Sequence, residues 1–192
     1  MNFPHTYLAS GSPRRRELLT QIGVDFSVVK VDVDESQLLD EAALDYVRRV
    51  AIAKAQAGFQ QLEVSPTNCI VLGADTSVII DGEILGKPKD DGDSRRMLQL
   101  LSGRSHQVLT AVAGVTMNDT QCVISDNVVQ FAELSADEIN WYIATQEGID
   151  KAGSYAVQGQ AAIFIEQIIG SYSGIMGLPV RETAMLLKKI SE

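Results

Sequence analysis

Three successive arginines follow a glycine-containing turn near the start of the chain, in the segment Ser10–Arg16. The Ser-Pro pair within it is typical of a helix start, so the segment predicts a junction between a strand and a helix. The N–H groups of a helix start favour a phosphate, and Arg14 and Arg15 add charge-assisted bonds. Because cationic side chains oppose the helix dipole there, a bound anion explains them better than an ordinary capped helix. Arg16 is expected to point to solvent.

Lys54 lies on the apolar face of a predicted helix from Glu41 to Leu62, three residues after Ala51 and seven after Val47. Lysine is almost never fully buried without a partner. Either the stem of Lys54 carries the ammonium out to solvent, or the ammonium meets an anion in a cleft. The residues alone leave both interpretations open.

Asp75 interrupts an apolar strand run, in the segment Gly73–Thr76. Aspartate is depleted in strands, and a buried carboxylate must be paired, hydrogen-bonded or bound to a metal. Carboxylates at strand ends in α/β sheets often line the ligand crevice. The pattern therefore favours a functional carboxylate over one that only caps a neighbouring loop.

Three further segments carry polar residues suited to the same chemistry. The carboxylates of Asp32–Glu35 can hold Mg²⁺ together with substrate phosphates, although the composition fits a solvated acidic loop equally well. Lys87 follows a predicted hairpin and can return toward the end of the sheet that holds Asp75; a solvated loop lysine is the commoner case. Gln158 ends a small polar loop, and its amide can read a base edge with one donor and one acceptor, the alternative being an ordinary loop.

The elements that must position these residues alternate between strands and helices. Asp81-Gly82 and Asn118-Asp119 predict hairpins, so the fold class is α/β with a mixed central sheet flanked by helices. No linker or compositional shift marks a boundary, which predicts a single domain over residues 1–192. The predicted strands are 5–9, 26–31, the apolar runs 69–72 and 77–80, 83–85, 108–117 and 122–132, and a further apolar run covers 161–169. The predicted helices are 13–22, 41–62, 91–101, one that Ser135 and Glu138 cap and that runs through Ile139, Tyr142 and Ile143, and 179–190.

Composition narrows the function classes. The net charge is −9 and the isoelectric point about 4.7, which argues against a nucleic-acid binder and against binding to anionic membranes. A small polyanion remains compatible if basic residues gather at one site. No signal peptide or membrane span is evident, so a cytoplasmic protein is expected. His5 and His106 have no metal-ligand spacing and are interpreted as structural, and Cys69 and Cys122 as buried reduced thiols.

Taken in order, these motifs resemble those of the Maf family over nearly the whole chain. Six ordered motifs are far more specific than a lone glycine-rich loop. They are Leu8–Arg15, Val33–Glu35, Gly73–Thr76, Gly86–Pro88, Ser102-Gly103 and Gly153–Gly159, and Gly177–Pro179 precedes the last helix.

The resemblance implies a Maf/ITPase-like fold with two lobes around a cleft, and often a homodimer. It implies metal-dependent hydrolysis of a nucleoside triphosphate to the monophosphate and pyrophosphate, with Mg²⁺ or Mn²⁺ as the cofactor. Asp75 matches the family's proton acceptor, and we expect the metal to lie against Glu35 and Asp75. The other matching active-site positions are Ser10, Arg14, Arg15, Glu35, Lys54 and Lys87.

The resemblance extends to substrate choice. Arg14, Thr76 and Gln158 resemble the set of the dTTP/UTP subgroup, whereas the 7-methyl-GTP subgroup carries an aromatic residue, an amide and an acid there. A neutral Gln158 can pair with the O4 and N3–H edge of uracil or thymine. The alternative is a nucleotide-binding regulator of cell division without turnover, and pyrophosphate release distinguishes the two.

Overall fold

The computed structural model describes residues 3–62 and 69–191, in which strands and helices alternate. The apolar runs on either side of Gly73–Thr76 form one strand, so Asp75 lies inside it. The elements are β1 (Thr6–Ala9), α1 (Pro13–Gln21), β2 (Phe26–Val28), α2 (Ala43–Gln60), β3 (Ile70–Ile80), β4 (Glu83–Leu85), α3 (Asp91–Leu101), β5 (Ser105–Val115), β6 (Thr120–Phe131), α4 (Ala136–Ala144), β7 (Ile165–Ile169), α5 (Tyr172–Met176) and α6 (Val180–Ser191), with 3₁₀ turns at Ala152–Ser154 and Gln160–Phe164.

The strands form one sheet in the order β2-β1-β3-β5-β6-β7, and β4 pairs with β3 beside this path. β1 is parallel to both β2 and β3, whereas the β3–β4 and β6–β7 pairs are antiparallel. The predicted mixed sheet with flanking helices is therefore confirmed. Asp81 and Gly82 both have positive φ, as a tight hairpin turn requires, and they join β3 to β4.

Local signals at the helix ends explain some of the boundaries. The capping box of Ser135 and Glu138 is present at the start of α4, as predicted. Ser12 stands at the N-cap of α1, but its hydroxyl makes no capping bond. Only the second part of the apolar run 161–169 is a strand, because its first residues belong to the 3₁₀ turn Gln160–Phe164.

Contacts divide the chain into two compact units. Unit 1 comprises Met1–Asp75, Thr110–Ser125 and Gly177–Glu192, and unit 2 comprises Thr76–Leu109 and Asp126–Met176. Three of the boundaries fall inside β3, β5 and β6, so no linker composition marks them in the sequence.

Unit 1 holds α2 close to β3 through small residues. A Cβ on Gly73 would overlap the carbonyl oxygen of Ala51 and the amide nitrogen of Ala55. A Cβ on Gly58 would lie 2.9 Å from Cγ1 of Val71. The backbones of α2 and β3 therefore approach each other where side chains of ordinary size would separate them. This approach brings the middle of α2 to the face of β3 that carries Asp75.

Unit 2 has an aromatic core. Phe131 packs edge-on against Tyr155, with 4.9 Å between the ring centroids, and His106 packs against both rings. His106 Nε2 lies 2.8 Å from the hydroxyl oxygen of Tyr155, and burial lowers the pKa of His106 to about 4. A neutral imidazole enclosed by aromatic rings supports the structural interpretation of this histidine.

Gly73→Ala should lower the free energy of unfolding by about 3 kcal/mol or more, because the added methyl group overlaps backbone atoms that cannot rotate away. Chemical denaturation measures the change. The matched control is Gly86→Ala, since a Cβ at Gly86 meets nothing within 4 Å. Equal stability of the two variants would contradict the close approach of α2 to β3.

Candidate active site

Lys54, Asp75 and Glu35 form one ionic cluster in unit 1. Lys54 Nζ lies 2.9 Å from Asp75 Oδ1 and 3.0 Å from Glu35 Oε1. The side chains of Lys54 and Asp75 are only 12% and 8% exposed, whereas that of Glu35 is half exposed. Of the two interpretations of Lys54, the structure favours the second: its ammonium meets carboxylates rather than open solvent. The strand carboxylate is thus paired, as its burial requires.

The alternation of side chains along β3 explains this pairing. Gly73 and Asp75 are two residues apart and share one face of the strand, the face on which α2 packs. Lys54 is carried by α2 between Ala51 and Ala55, the two residues whose backbone atoms lie against Gly73. Thr76, the next residue, belongs to the opposite face of β3.

Arg15 is a half-buried cation at the start of α1. Its Nε donates to the carbonyl oxygen of Gly177 at 2.8 Å, and its Nη1 donates to Ser10 Oγ at 3.0 Å. Burial lowers the pKa of Arg15, and the negative charges of Asp75 and Glu35 oppose that shift. Its two hydrogen bonds fix the guanidinium, and Asp75 and Glu35 are close enough for their charges to act on it.

The three arginines of α1 differ in exposure, as the helix geometry predicts. Arg14 is half-buried and close enough to Arg15 for its positive charge to lower the pKa of Arg15. Arg16 is exposed. Ser10, Arg14 and Arg15 thus lie at the same end of α1, and Arg15 is close enough to Asp75 and Glu35 for their charges to act on it.

The loop that carries Glu35 is held by α2. The Tyr46 hydroxyl donates to the carbonyl oxygen of Glu35 at 2.9 Å, and Arg49 donates to that of Ser36 at 2.9 Å. Arg49 also forms a two-bond ion pair with Glu41, which lowers the pKa of Glu41 to about 2. Burial, followed by the charges of Asp75 and Glu35, raises the pKa of Tyr46 to about 12. These contacts position an otherwise exposed acidic loop, and sequence analysis missed them.

Thr76, Lys87 and Gln158 belong to unit 2. Lys87 and Gln158 are both exposed and lie on separate loops. The amide of Gly153 donates to the carbonyl oxygen of Gly86 at 3.0 Å, so the segment before Lys87 is tied to the start of the loop that leads to Gln158.

Glu147 anchors the backbone next to Gln158. Its Oε2 accepts the amide of Gln160 at 3.0 Å, and its Oε1 accepts the hydroxyl of Tyr142 at 3.1 Å. A Cβ on Gly159 would overlap the same carboxylate. The carboxylate of Glu147, eleven residues before Gln158, therefore fixes the backbone that follows Gln158. The sequence signal for this contact is Gly159, because a residue without a side chain permits the close approach of the carboxylate.

The donor set of unit 1 suits a hard divalent cation. Asp75 and Glu35 direct carboxylate oxygens to within 3.0 Å of the same nitrogen, so one cation contacts both. Mg²⁺ commonly binds through one or two carboxylates and completes its shell with water and substrate phosphates. Among residues 3–62 and 69–191, no group of three or more His, Cys, Asp or Glu side chains is arranged to hold a metal.

Comparison with known proteins identifies relatives along almost the entire chain. The family model described as Maf-like protein matches residues 5–190. A dTTP/UTP pyrophosphatase of Nitrosospira multiformis is 48% identical, over 95% of this chain and 93% of its own length. One of Aromatoleum aromaticum is 50% identical, with the same two coverages.

A solved structure supports the fold independently. The Staphylococcus aureus Ham1 protein superposes with a TM-score of 0.55 over 96% of this chain and 98% of its own, at 16% identity. At that identity the likeness concerns the fold alone. Among the helices of the described residues, none has the length and apolar character that a membrane crossing requires.

Glu147→Ala should lower the free energy of unfolding by about 1–3 kcal/mol, because it removes the acceptor of a backbone amide and of a largely buried hydroxyl. Amide exchange at Gln160 should accelerate in the same variant. The matched control is Glu166→Ala, which removes an exposed glutamate from β7 of the same unit. Unchanged exchange at Gln160 would show that Glu147 does not hold this loop.

Proposed function

We propose that this chain, which belongs to the family of Maf-like proteins, hydrolyses dTTP and UTP to the nucleoside monophosphate and pyrophosphate. The observation that carries the proposal is the cluster of Asp75, Lys54 and Glu35 in a chain 48–50% identical to proteins named dTTP/UTP pyrophosphatases. The reaction adds one water across the anhydride between the α- and β-phosphates.

Asp75 takes the role of proton acceptor. A general base must be ionised and close to the proton that it removes. Asp75 is buried, and in the protein without nucleotide its charge is compensated by Lys54. In the proposed step, Asp75 orients the attacking water and accepts its proton while the leaving pyrophosphate takes the electron pair of the broken P–O bond.

The cations of unit 1 receive the triphosphate. Arg15 is fixed by Ser10 and Gly177 and cannot be deprotonated at neutral pH, so it supplies a constant positive charge. Arg14 adds a second guanidinium at the same helix start. Such preorganised charges stabilise the negative charge that moves onto the leaving group as the bond breaks. Lys87, on a loop of unit 2, is proposed to add a further cation.

We assign Glu35 and Asp75 as the residues that hold the divalent metal, Mg²⁺ or Mn²⁺. The bound metal would supply Lewis-acid stabilisation of the phosphate oxygens. Tyr46 and Arg49 support this assignment, because they hold the Glu35 loop against α2.

Gln158 is proposed to recognise the base. Its amide supplies one N–H for O4 and one carbonyl oxygen for N3–H, the pattern of uracil and thymine. Its exposure leaves the amide accessible, while Glu147 fixes the backbone beyond it. Arg14 and Thr76 complete the set that resembles the pyrimidine subgroup.

Pyrophosphate release from a panel of dTTP, UTP, CTP, GTP, ITP and 7-methyl-GTP, each with Mg²⁺ or Mn²⁺, tests the function. We expect turnover of dTTP and UTP above the others. Asp75→Asn should reduce kcat by about 10²-fold or more, since it removes the base but keeps the shape of the side chain.

The control for this variant is Asp137→Asn, which removes a carboxylate from the exposed first turn of α4 and should turn over like the wild type. Nucleotide binding by Asp75→Asn, measured by calorimetry, should persist. Binding of dTTP by the wild type without pyrophosphate release would instead identify a nucleotide-binding regulator, and an active Asp75→Asn enzyme would refute the role of the base.

Gln158→Glu should reduce kcat/KM for dTTP and UTP on the order of tenfold, because a carboxylate has no N–H for O4 and the loss of one hydrogen bond is worth about that factor. The matched control is Gln160→Glu, which adds the same charge two residues further along the chain. If both variants lose activity equally, the added charge rather than base recognition is responsible.

A further inference from the structure

We propose that Lys54 is a resident counter-ion that occupies the metal-binding carboxylates until a triphosphate draws it away, so that metal and nucleotide bind cooperatively. The inference rests on the proposed function and concerns the same site. It begins from one observation: a single ammonium contacts both carboxylates assigned to the metal, at 2.9 Å and 3.0 Å. A cation on these oxygens must displace Lys54 or share them with it.

The charges around the site disfavour a metal in the protein without nucleotide. Asp75 and Glu35 supply two negative charges, and Lys54 and Arg15 supply two positive charges that act on them. A divalent cation brought to this neutral group gains little net attraction. A triphosphate changes the balance because it adds several negative charges, which attract the ammonium and complete the metal's shell with phosphate oxygens.

Lys54 and Arg15 differ in their freedom to respond. Arg15 is fixed through its guanidinium by Ser10 and by the carbonyl oxygen of Gly177. Lys54 has a flexible four-carbon stem and a compact ammonium, so it can turn from carboxylates to phosphates without moving α2. Lys54 is therefore the group that exchanges partners, and Arg15 is the fixed phosphate contact.

This arrangement predicts reciprocal coupling. If nucleotide binding releases the carboxylates for the metal, then metal binding must strengthen nucleotide binding by the same factor. At Mn²⁺ concentrations that saturate the complex with nucleotide, the protein without nucleotide would bind little Mn²⁺. Removing the charge of Lys54 should raise metal affinity in the free protein and reduce the coupling.

The test uses Lys54→Gln, whose amide can still donate to Asp75 but carries no charge. Mn²⁺ binding to the protein without nucleotide, followed by electron paramagnetic resonance, should tighten on the order of tenfold in this variant, within the usual range of such couplings. The matched control is Lys188→Gln, an exposed lysine of α6 in the same unit, which should bind Mn²⁺ like the wild type. A folded Lys54→Gln variant with wild-type Mn²⁺ affinity would overturn the proposal.

A second variant keeps the test decisive if Lys54→Gln does not fold. Glu35→Gln alters a half-exposed side chain on a loop. Because Lys54 already occupies Glu35 in the free protein, this change should scarcely alter Mn²⁺ binding there. It should weaken Mn²⁺ binding about tenfold or more in the complex with α,β-imido-UTP, where Glu35 is released. An equal loss of Mn²⁺ affinity in the free protein and in the nucleotide complex would contradict the displacement of Lys54.

These titrations separate the inference from the proposed function. The measurement on the free protein involves neither nucleotide nor turnover. A wild type that releases no pyrophosphate from dTTP or UTP would disprove the function and leave the Mn²⁺ result interpretable. An active wild type whose Mn²⁺ affinity is unaffected by Lys54→Gln would disprove the inference alone.

Discussion

The fold encloses the carboxylate of Asp75 inside β3, where only 6% of the residue remains exposed, and it must then compensate the charge. A buried carboxylate without a partner costs several kilocalories per mole, on the order of the whole stability of a small domain. Lys54 supplies the compensation, and that requirement sets the distance between α2 and β3. Gly73, with Ala51 and Ala55 opposite, makes the distance short enough. The pairing of Lys54 with Asp75 thus depends on the small residues where α2 meets β3 as much as on the two charged residues themselves.

A second set of contacts holds Glu35, the half-exposed carboxylate that also contacts Lys54. Glu35 lies on a loop, and loops of charged residues seldom keep one conformation by themselves. From the surface of α2, Tyr46 and Arg49 hold the carbonyl oxygens of Glu35 and Ser36, and Glu41 fixes Arg49 in turn. Helix α2 therefore buries Lys54 and also supports the acidic loop that carries Glu35. One element determines the position of three charged groups that are distant in the chain.

The sequence predicted the features that arise from local pattern and motif, and it missed those that depend on tertiary contacts. The apolar run around Asp75 and the helical period around Lys54 indicated charged groups in buried positions, because both patterns are local. The ion pair of Glu41 and Arg49 spans eight residues across the start of α2, a spacing that no helical rule favours. Glu147 acts through a backbone amide thirteen residues away, so its role is set by the path of the loop. The unit boundary inside β3 could not be predicted, because a continuous strand has no compositional break.

The acidic surface and the anionic substrate are compatible because their interactions act over different distances. At physiological salt, exposed charges are screened beyond about 8 Å, so most of the net charge of −9 has little effect on a ligand already in the site. In the proposed function, a compact triphosphate would meet Arg14, Arg15 and Lys54 there. A nucleic acid would extend across the surface, where the net charge is negative, and its added phosphates would lie beyond this group of cations. We therefore expect the same charge distribution to admit a nucleotide and to disfavour a polynucleotide.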